Sequence, residues 1–350
     1  MLDYLIVGQG IAGSLVAWFL KKENKTFAVI DSGTQGASST VAAGLINPIT
    51  GRKYNTTWLA ETLLPFAEAT YREIGEALGE SIYAPIPLYH LFDSVKAQND
   101  WSVKCGTAAY NQFLAQQEIT YLDKEKVNNA YGSFEVSGAA RIQALKLNQL
   151  VRQWLLKTAN LIEERFDYSA LQLNGQHISY KGIEARMLIF CEGAGGYQNP
   201  FFNFIPYQLA KGEVLIVRIK DFYNDRIIKG EVGIVPWDGE DLFYVGATHH
   251  WEFTNALPSE RGRKELEDGL QLTIKAPYEV TEHRAAIRPC VTGRRPFIGK
   301  HPLHPQLATL NGLGTKGFSL SPYFAKQLIS HLEHNSPLMP EINIARAFKV

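Results

Sequence analysis

Residues 4–31 read YLIVGQGIAGSLVAWFLKKENKTFAVID, and this stretch decides the fold. Tyr4 to Val7 is an unbroken apolar run, the pattern of a parallel strand covered by helices on both faces. Gly8, Gly10 and Gly13 then complete a GxGxxG loop. The first glycine permits a tight turn, the second lets a pyrophosphate approach the backbone, and the third lets the next helix pack closely on the strand. The spacing predicts that helix from about Ala12 to Lys22, with its amide-rich N-terminus aimed at the phosphates. A second strand, Phe27 to Ile30, ends in Asp31, eighteen residues after Gly13. A carboxylate there accepts hydrogen bonds from adenosine ribose hydroxyls and disfavours a 2′-phosphate. The implied ligand is FAD or NAD, not NADP.

A chain of 350 residues is too long for one ordinary core, so two domains are expected, and 45% apolar residues suffice for both. Lys+Arg and Asp+Glu stand at 35 each, leaving no net field to gather nucleic acid or an anionic membrane. Cys105, Cys191 and Cys290 are few, odd in number and scattered, which points to buried free thiols in a reducing compartment and away from disulfides or a zinc site. The nucleotide motif starts too early to leave room for a signal peptide, and no apolar run reaches membrane-span length. A cytoplasmic protein without membrane insertion is expected.

Beyond Asp31, the run Ser38 to Pro48 (SSTVAAGLINP) is dense in small side chains, as where a flat ligand lies against backbone, or where Ser39 or Thr40 caps a helix. Thr56 or Thr57 is expected to cap a long helix kinked at Pro65. Tyr83 to Phe92 reads as a proline-interrupted edge strand, Trp101 to Gln117 as strand then helix, and Gly138 to Lys157 as helix. The apolar strand Ala185 to Cys191 runs into Gly193. Between Tyr207 and Arg284 the chain is strand-rich, with a hairpin signal at Asp238-Gly239 and a helix near Ser259 to Ile274. These strands and the 81–135 insertion are expected to share one antiparallel sheet. Leu307 to Asn311 leads into a second GxGxxG, Gly312, Gly314 and Gly317, with Thr315 and Lys316 inside it. Too little chain follows its helix for a second nucleotide unit, but its free amides suit a developing negative charge.

The Gly8-Gly10-Gly13-Asp31 opening, SSTVAAGLINP, RPCVTGRRPFIG (288–299) and GLGTKGFSLSPYFAKQL (312–328) together resemble the D-amino acid oxidase and glycine oxidase family of FAD-dependent oxidoreductases. The resemblance implies an α/β protein with a discontinuous Rossmann-like FAD-binding domain (1–78, 137–206 and 286–350) and an antiparallel-sheet α+β substrate domain (79–136 and 207–285). By the same resemblance Gly8, Gly10, Ile11, Ala12 and Gly13 hold the pyrophosphate and Asp31, with Ser32, the ribose. Ser38, Ser39, Thr40, Ala43, Gly44, Leu45 and Asn47 pass along the flavin, Phe166 sits near the adenine, and Gly193 closes the pocket. Gly312, Gly314, Thr315, Lys316, Gly317 and Phe318 face the pyrimidine edge. FAD is expected to be non-covalent, because Cys290 does not fall where relatives attach flavin.

For the substrate, Arg288 is the expected carboxylate ligand, since a guanidinium binds a carboxylate bidentately. Tyr244 stands where N-methyl amino acid oxidases carry a lysine. Of the neighbours His249 and His250, which point to opposite faces of a strand, His249 is the one placed in the pocket. Arg294 and Arg295 replace an Asp-Gly of many relatives and either reach a second anionic group or form a solvated pair. No general base and no metal ligand is assigned. The implied reaction oxidises the C–N bond of an amino acid or N-substituted glycine, with oxygen or a quinone as final acceptor. Two readings stay beside it: an oxidase that removes a carboxymethyl group from a tRNA wobble uridine, and a non-catalytic flavin-binding subunit.

Overall fold

The computed structural model describes residues 1–33, 37–51, 53–114 and 119–348. An eight-stranded sheet forms its centre. Leu161–Ile162, Phe27–Ile30, Leu2–Val7 and Ile183–Phe190 lie side by side in parallel. One edge of Ile183–Phe190 serves two partners: near its start it takes His177–Tyr180 antiparallel, and near its end Leu307–Asn311 parallel. Phe297–Lys300 and Leu171–Asn174 complete the sheet.

Alternation along the first strand explains why it is wholly apolar. Tyr4 and Ile6 enter one core, with the helices Ile11–Lys22, Ala60–Leu78 and Gly317–His334, while Leu5 and Val7 enter another on the opposite face with Phe190 and Phe202. Helix Ile11–Lys22 packs along Gly317–His334, so the first and last long helices of the chain are neighbours.

A seven-stranded sheet runs in the order Glu279–Arg288, Ala210–Arg218, Leu242–Gly246, Gly233–Pro236, Ile227–Lys229, Leu88–Leu91, Ser133–Val136. Its strands also divide their side chains by face. Val214, Ile216 and Tyr244 join the core of the first sheet's helices, whereas Leu215, Val217, Phe243 and Val245 meet Leu266 and Leu270 of helix Glu260–Thr273. The predicted hairpin about Asp238-Gly239 is present, as Gly233–Pro236 pairs antiparallel with Leu242–Gly246. Ser259 caps the following helix, its hydroxyl accepting the Gly262 N–H.

Several local expectations are corrected. The second sheet is mixed, because Leu88–Leu91 pairs parallel with Ile227–Lys229. Leu88–Leu91 is therefore interior, while Tyr83–Pro85 belongs to a separate small sheet with Ala140–Ile142 and Leu45–Ile46; Ile86-Pro87 is the break. Residues 140–142 are strand, and the helix begins only at Ala144. Trp101 sits in helix Val95–Cys105, not in a strand, and the end of that predicted segment lies outside the described residues. Neither Ser39 nor Thr40 caps Ser38–Val41, and no side chain caps Ala60–Leu78, whose N-cap Leu59 has φ 51°. Pro65 is the sixth residue of that helix, past the unpartnered first turn, so it removes the hydrogen bond that an N–H there would donate to the Glu61 carbonyl. Among the described residues no helix is long and apolar enough to cross a membrane.

Candidate active site

Leu2–Val7, Ile183–Phe190 and Leu307–Asn311 are mutually parallel, so the loops that follow all three emerge at the same edge of the sheet. In open α/β sheets that carboxyl edge is where ligands bind. Gly8 and Gly10 form the first of these loops, and Ile11, Ala12 and Gly13 begin the helix after it. Gly13 is fixed by contact: a β-carbon there would lie 1.8 Å from the Gly8 carbonyl oxygen. Gly193 opens the second loop with φ +56°, and its β side meets nothing within 4 Å. A tight turn, free amides and an open backbone face are what a dinucleotide pyrophosphate requires, so the residues present fit FAD.

Asp31 follows the second strand as predicted. Its Oδ2 accepts the Gln9 N–H at 2.8 Å, and its Oδ1 accepts the Gly33 N–H at 2.7 Å and Arg152 Nη1 at 3.0 Å. A carboxylate offers about four lone-pair sites, so about one acceptor position is left for a ribose hydroxyl. Arg152, which also pairs with Glu163, was not foreseen; it projects from helix Ala144–Lys157, and nothing in the local pattern there signals a partner so distant in sequence. Ser32 is exposed beside Asp31.

Ser38, Ser39 and Thr40 form the short helix Ser38–Val41, which packs on Ala144–Lys157 and on Glu279–Arg288. The backbone of Ala43 lies near the Tyr244 hydroxyl. The Gly44 carbonyl accepts the Ile142 N–H at 2.9 Å, Leu45 pairs with Arg141, and Asn47 Oδ1 accepts the Ile49 N–H at 3.0 Å. Phe166, in the stretch that follows Leu161–Ile162, stacks its ring on Tyr180 at 4.5 Å and stands edge-on to Phe190, the last residue of Ile183–Phe190.

The third loop carries the second glycine motif. Gly312 and Gly314 have φ +78° and +57°, Gly314–Lys316 form a single 3-10 turn, and Gly317 starts the last helix with Phe318 buried behind it. Thr315 is exposed. Lys316 Nζ donates to the hydroxyls of Thr50 and Thr57, each at 3.1 Å. Burial, with the nearby guanidiniums of Arg295 and Arg294, lowers its pKa to about 8.

Arg288 ends the edge strand of the second sheet. A β-carbon on Gly212 would lie 2.1 Å from its Nη2, so the guanidinium covers bare backbone. Its Nη1 donates to the Thr248 carbonyl at 2.9 Å and approaches His249 Nδ1 at 3.3 Å. Burial depresses the Arg288 pKa, and burial followed by Arg288 and Arg294 depresses that of His249. Tyr244 is buried, and that burial raises its phenol to about 12 despite Arg288 and the Ala43 backbone. Tyr244, Arg288 and His249 are thus brought together. His250 turns away to Glu265, at 2.7 Å; neither histidine belongs to the core, His249 being exposed and His250 half-buried.

Residues 3–331 match the family model described as DAO, FAD dependent oxidoreductase. The chain is 24% identical over 353 residues to glycine oxidase of Bacillus subtilis (strain 168), covering 91% of this chain and 90% of that one. Its fold is shared by the crystal structure of glycine oxidase from Geobacillus kaustophilus, with a TM-score of 0.79 and 21% identity over 96% of this chain and 95% of that one. It is shared too by iminodiacetate oxidase from Chelativorans sp. BNC1, with a TM-score of 0.74, 19% identity and 96% coverage of both chains. With the match spanning both sheets and all three loops, the chain belongs to the DAO family of FAD-dependent oxidoreductases.

Proposed function

We propose that this protein oxidises the C–N bond of a small amino acid or N-substituted glycine to an imine, which water then hydrolyses. The observation that carries this reading is Arg288: a half-buried guanidinium, without a carboxylate partner among the described residues, set beside Tyr244 and His249. Bound FAD supplies the two-electron acceptor. The residues from Gly8 to Gly13, with Asp31 and Gly193, would hold its adenosine diphosphate part, and those from Ser38 to Asn47 and Gly312 to Phe318 its ring. Residues 1–78, 137–206 and 286–350 would form the cofactor domain, and 79–136 and 207–285 the substrate domain.

In this reading Arg288 takes the substrate carboxylate, with Nε and Nη2 free to form a bidentate pair, since its hydrogen bonds within the described protein use Nη1. Tyr244 lines the pocket wall as a neutral phenol. Fixing the carboxylate fixes the α C–H, so orientation performs the work that a side-chain base would otherwise do. Names of relatives that mention glycine and iminodiacetate support a small amine substrate. The test is anaerobic mixing of the holoenzyme with glycine, sarcosine, D-alanine, D-proline and iminodiacetate. At least one should bleach the flavin absorbance; no bleaching across a broad amine panel would overturn the reading.

A further inference from the structure

We propose that the substrate carries a second carboxylate, held by Arg294 and Arg295 on the turn that follows Arg288. This deepens the reading above and rests on it.

The turn is built into the site. Its start is tied to the second glycine loop, because Gly314 N–H donates to the Pro289 carbonyl at 3.1 Å. Cys290 and Thr292 are strapped to the segment before the second sheet, through Gln208 N to Cys290 O at 2.8 Å and Thr292 N to Pro206 O at 2.9 Å. Its far end is held by Arg346, whose Nη2 donates to the carbonyls of Arg295 and Pro296 at 2.8 and 3.0 Å. Arg294 itself adopts φ +55°, a conformation that non-glycine residues hold only where surroundings impose it.

Of the charges on this turn, Arg295 feels the carboxylate of Glu341, from beyond ion-pair distance. Among the described residues, Arg288, Arg294, Arg295 and Lys316 have no carboxylate within ion-pair distance, while most other arginines near the sheets have one. The Arg294 guanidinium makes no hydrogen bond to a described residue. Arg295 lies over the Trp58 ring at 4.1 Å, a contact that orients it without neutralising it. Arg295 and Arg294 are near enough to Lys316, and Arg288 and Arg294 near enough to His249, for their charges to be felt there. A substrate carboxylate on Arg288 and the electron-rich pyrimidine edge of the cofactor beside Lys316 would balance two of these charges. Arg294 and Arg295 would remain. Arg294 is exposed and so reachable, and two adjacent guanidiniums on a turn tied to Arg288 offer a second carboxylate on the substrate's far side a place to pair.

The experiment compares iminodiacetate and D-aspartate with sarcosine and D-alanine, in the holoenzyme and in Arg294→Asn and Arg294→Lys. Asparagine suits a positive φ, so the turn is kept. Wild type should prefer the dicarboxylates in kcat/KM. The ratio of iminodiacetate to sarcosine should fall at least about tenfold in Arg294→Asn, the worth of one charge-assisted hydrogen bond, through KM more than kcat, with partial rescue in Arg294→Lys. A wild-type ratio near one, unmoved by Arg294→Asn, would overturn the second-carboxylate site while leaving amine oxidation standing. Should no amine bleach the flavin, the oxidase reading fails, and binding decides the remainder: succinate must perturb the flavin spectrum at lower concentration than acetate, and equal affinities would overturn the inference.

Discussion

Gly317, at the head of the last helix, touches Ile11, at the head of the first: a β-carbon on Gly317 would stand 3.3 Å from Ile11 Cγ2. The N-termini of the first and last long helices are thereby held in contact. An alanine needs only a small shift of the flexible Ile11 side chain. Gly317→Val should wedge the helices apart, costing about 1–3 kcal/mol, and should lower the ratio of flavin to protein absorbance in the purified protein. Unchanged flavin content in a folded Gly317→Val protein would show that this contact does not set the spacing.

Asp31 accepts from Gln9, Gly33 and Arg152, and in the proposed function its charge would organise the loop that takes the adenosine end of FAD. Asp31→Asn keeps the shape and removes the charge. FAD affinity, measured by titrating the apoprotein, should fall by about 1.5–3 kcal/mol, the worth of a hydrogen bond to a charged group.

Arg288 covers Gly212 and has Nε and Nη2 free. Arg288→Ala should raise the apparent substrate constant by the roughly 2–4 kcal/mol that a charged bidentate contact provides, with flavin content intact. Arg288→Lys should recover little, since an ammonium cannot form the paired geometry. Full activity in Arg288→Ala would remove the carboxylate role.

Lys316, with a pKa of about 8 against an ordinary 10.5, is charged at an energetic cost in the folded protein. The unfolded chain binds the extra proton more readily, so stability from this residue rises as pH increases from about 8 towards 10.5. Lys316→Met should therefore melt higher than wild type at pH 7 as apoprotein, the gap closing in alkali. If Lys316 faces the pyrimidine edge, the same variant should lower the two-electron potential of bound FAD by about 30 mV, equivalent to about 1.4 kcal/mol.

Glu333 is one acid-sensitive group of the fold. Burial would raise its pKa, but hydrogen bonds from Lys25, Tyr4 and Arg186 outweigh burial and hold it at about 2. Its stabilisation is complete above the ordinary carboxylate value of 4.5 and is lost as pH falls from there through about 2. Glu333→Gln should be less stable at neutral pH and show a flatter loss of melting temperature on acidification.

The parts of this architecture that could be read from the sequence are those whose signal is local. Phe27 to Ile30 and Leu307 to Asn311 are buried runs bounded by turn residues, and the structure places both strands at those limits. The insertion was harder because its signals compete. Trp101 and Val103 suggested a strand, yet Trp101 and Cys105, four apart, are the buried pair while Val103 is exposed, which is helical spacing. Residues 140–142 were absorbed into the following helix because their strand identity comes only from remote partners, Leu45 and Tyr83. Around the site, glycines and Asp31 announce themselves by spacing, whereas Arg152, Thr50, Thr57 and Trp58 gain their meaning only when the chain folds back on itself.

The strand Leu88–Leu91 lies between Ile227–Lys229, running the same way, and the edge strand Ser133–Val136. During synthesis it leaves the ribosome long before that neighbour exists, and its hydrogen-bonding edge must wait open while the intervening chain is made. Any single cut of the polypeptide between Leu91 and Glu279 divides the strands of both large sheets, so two pieces made separately by such a cut would have to find each other before either could become whole.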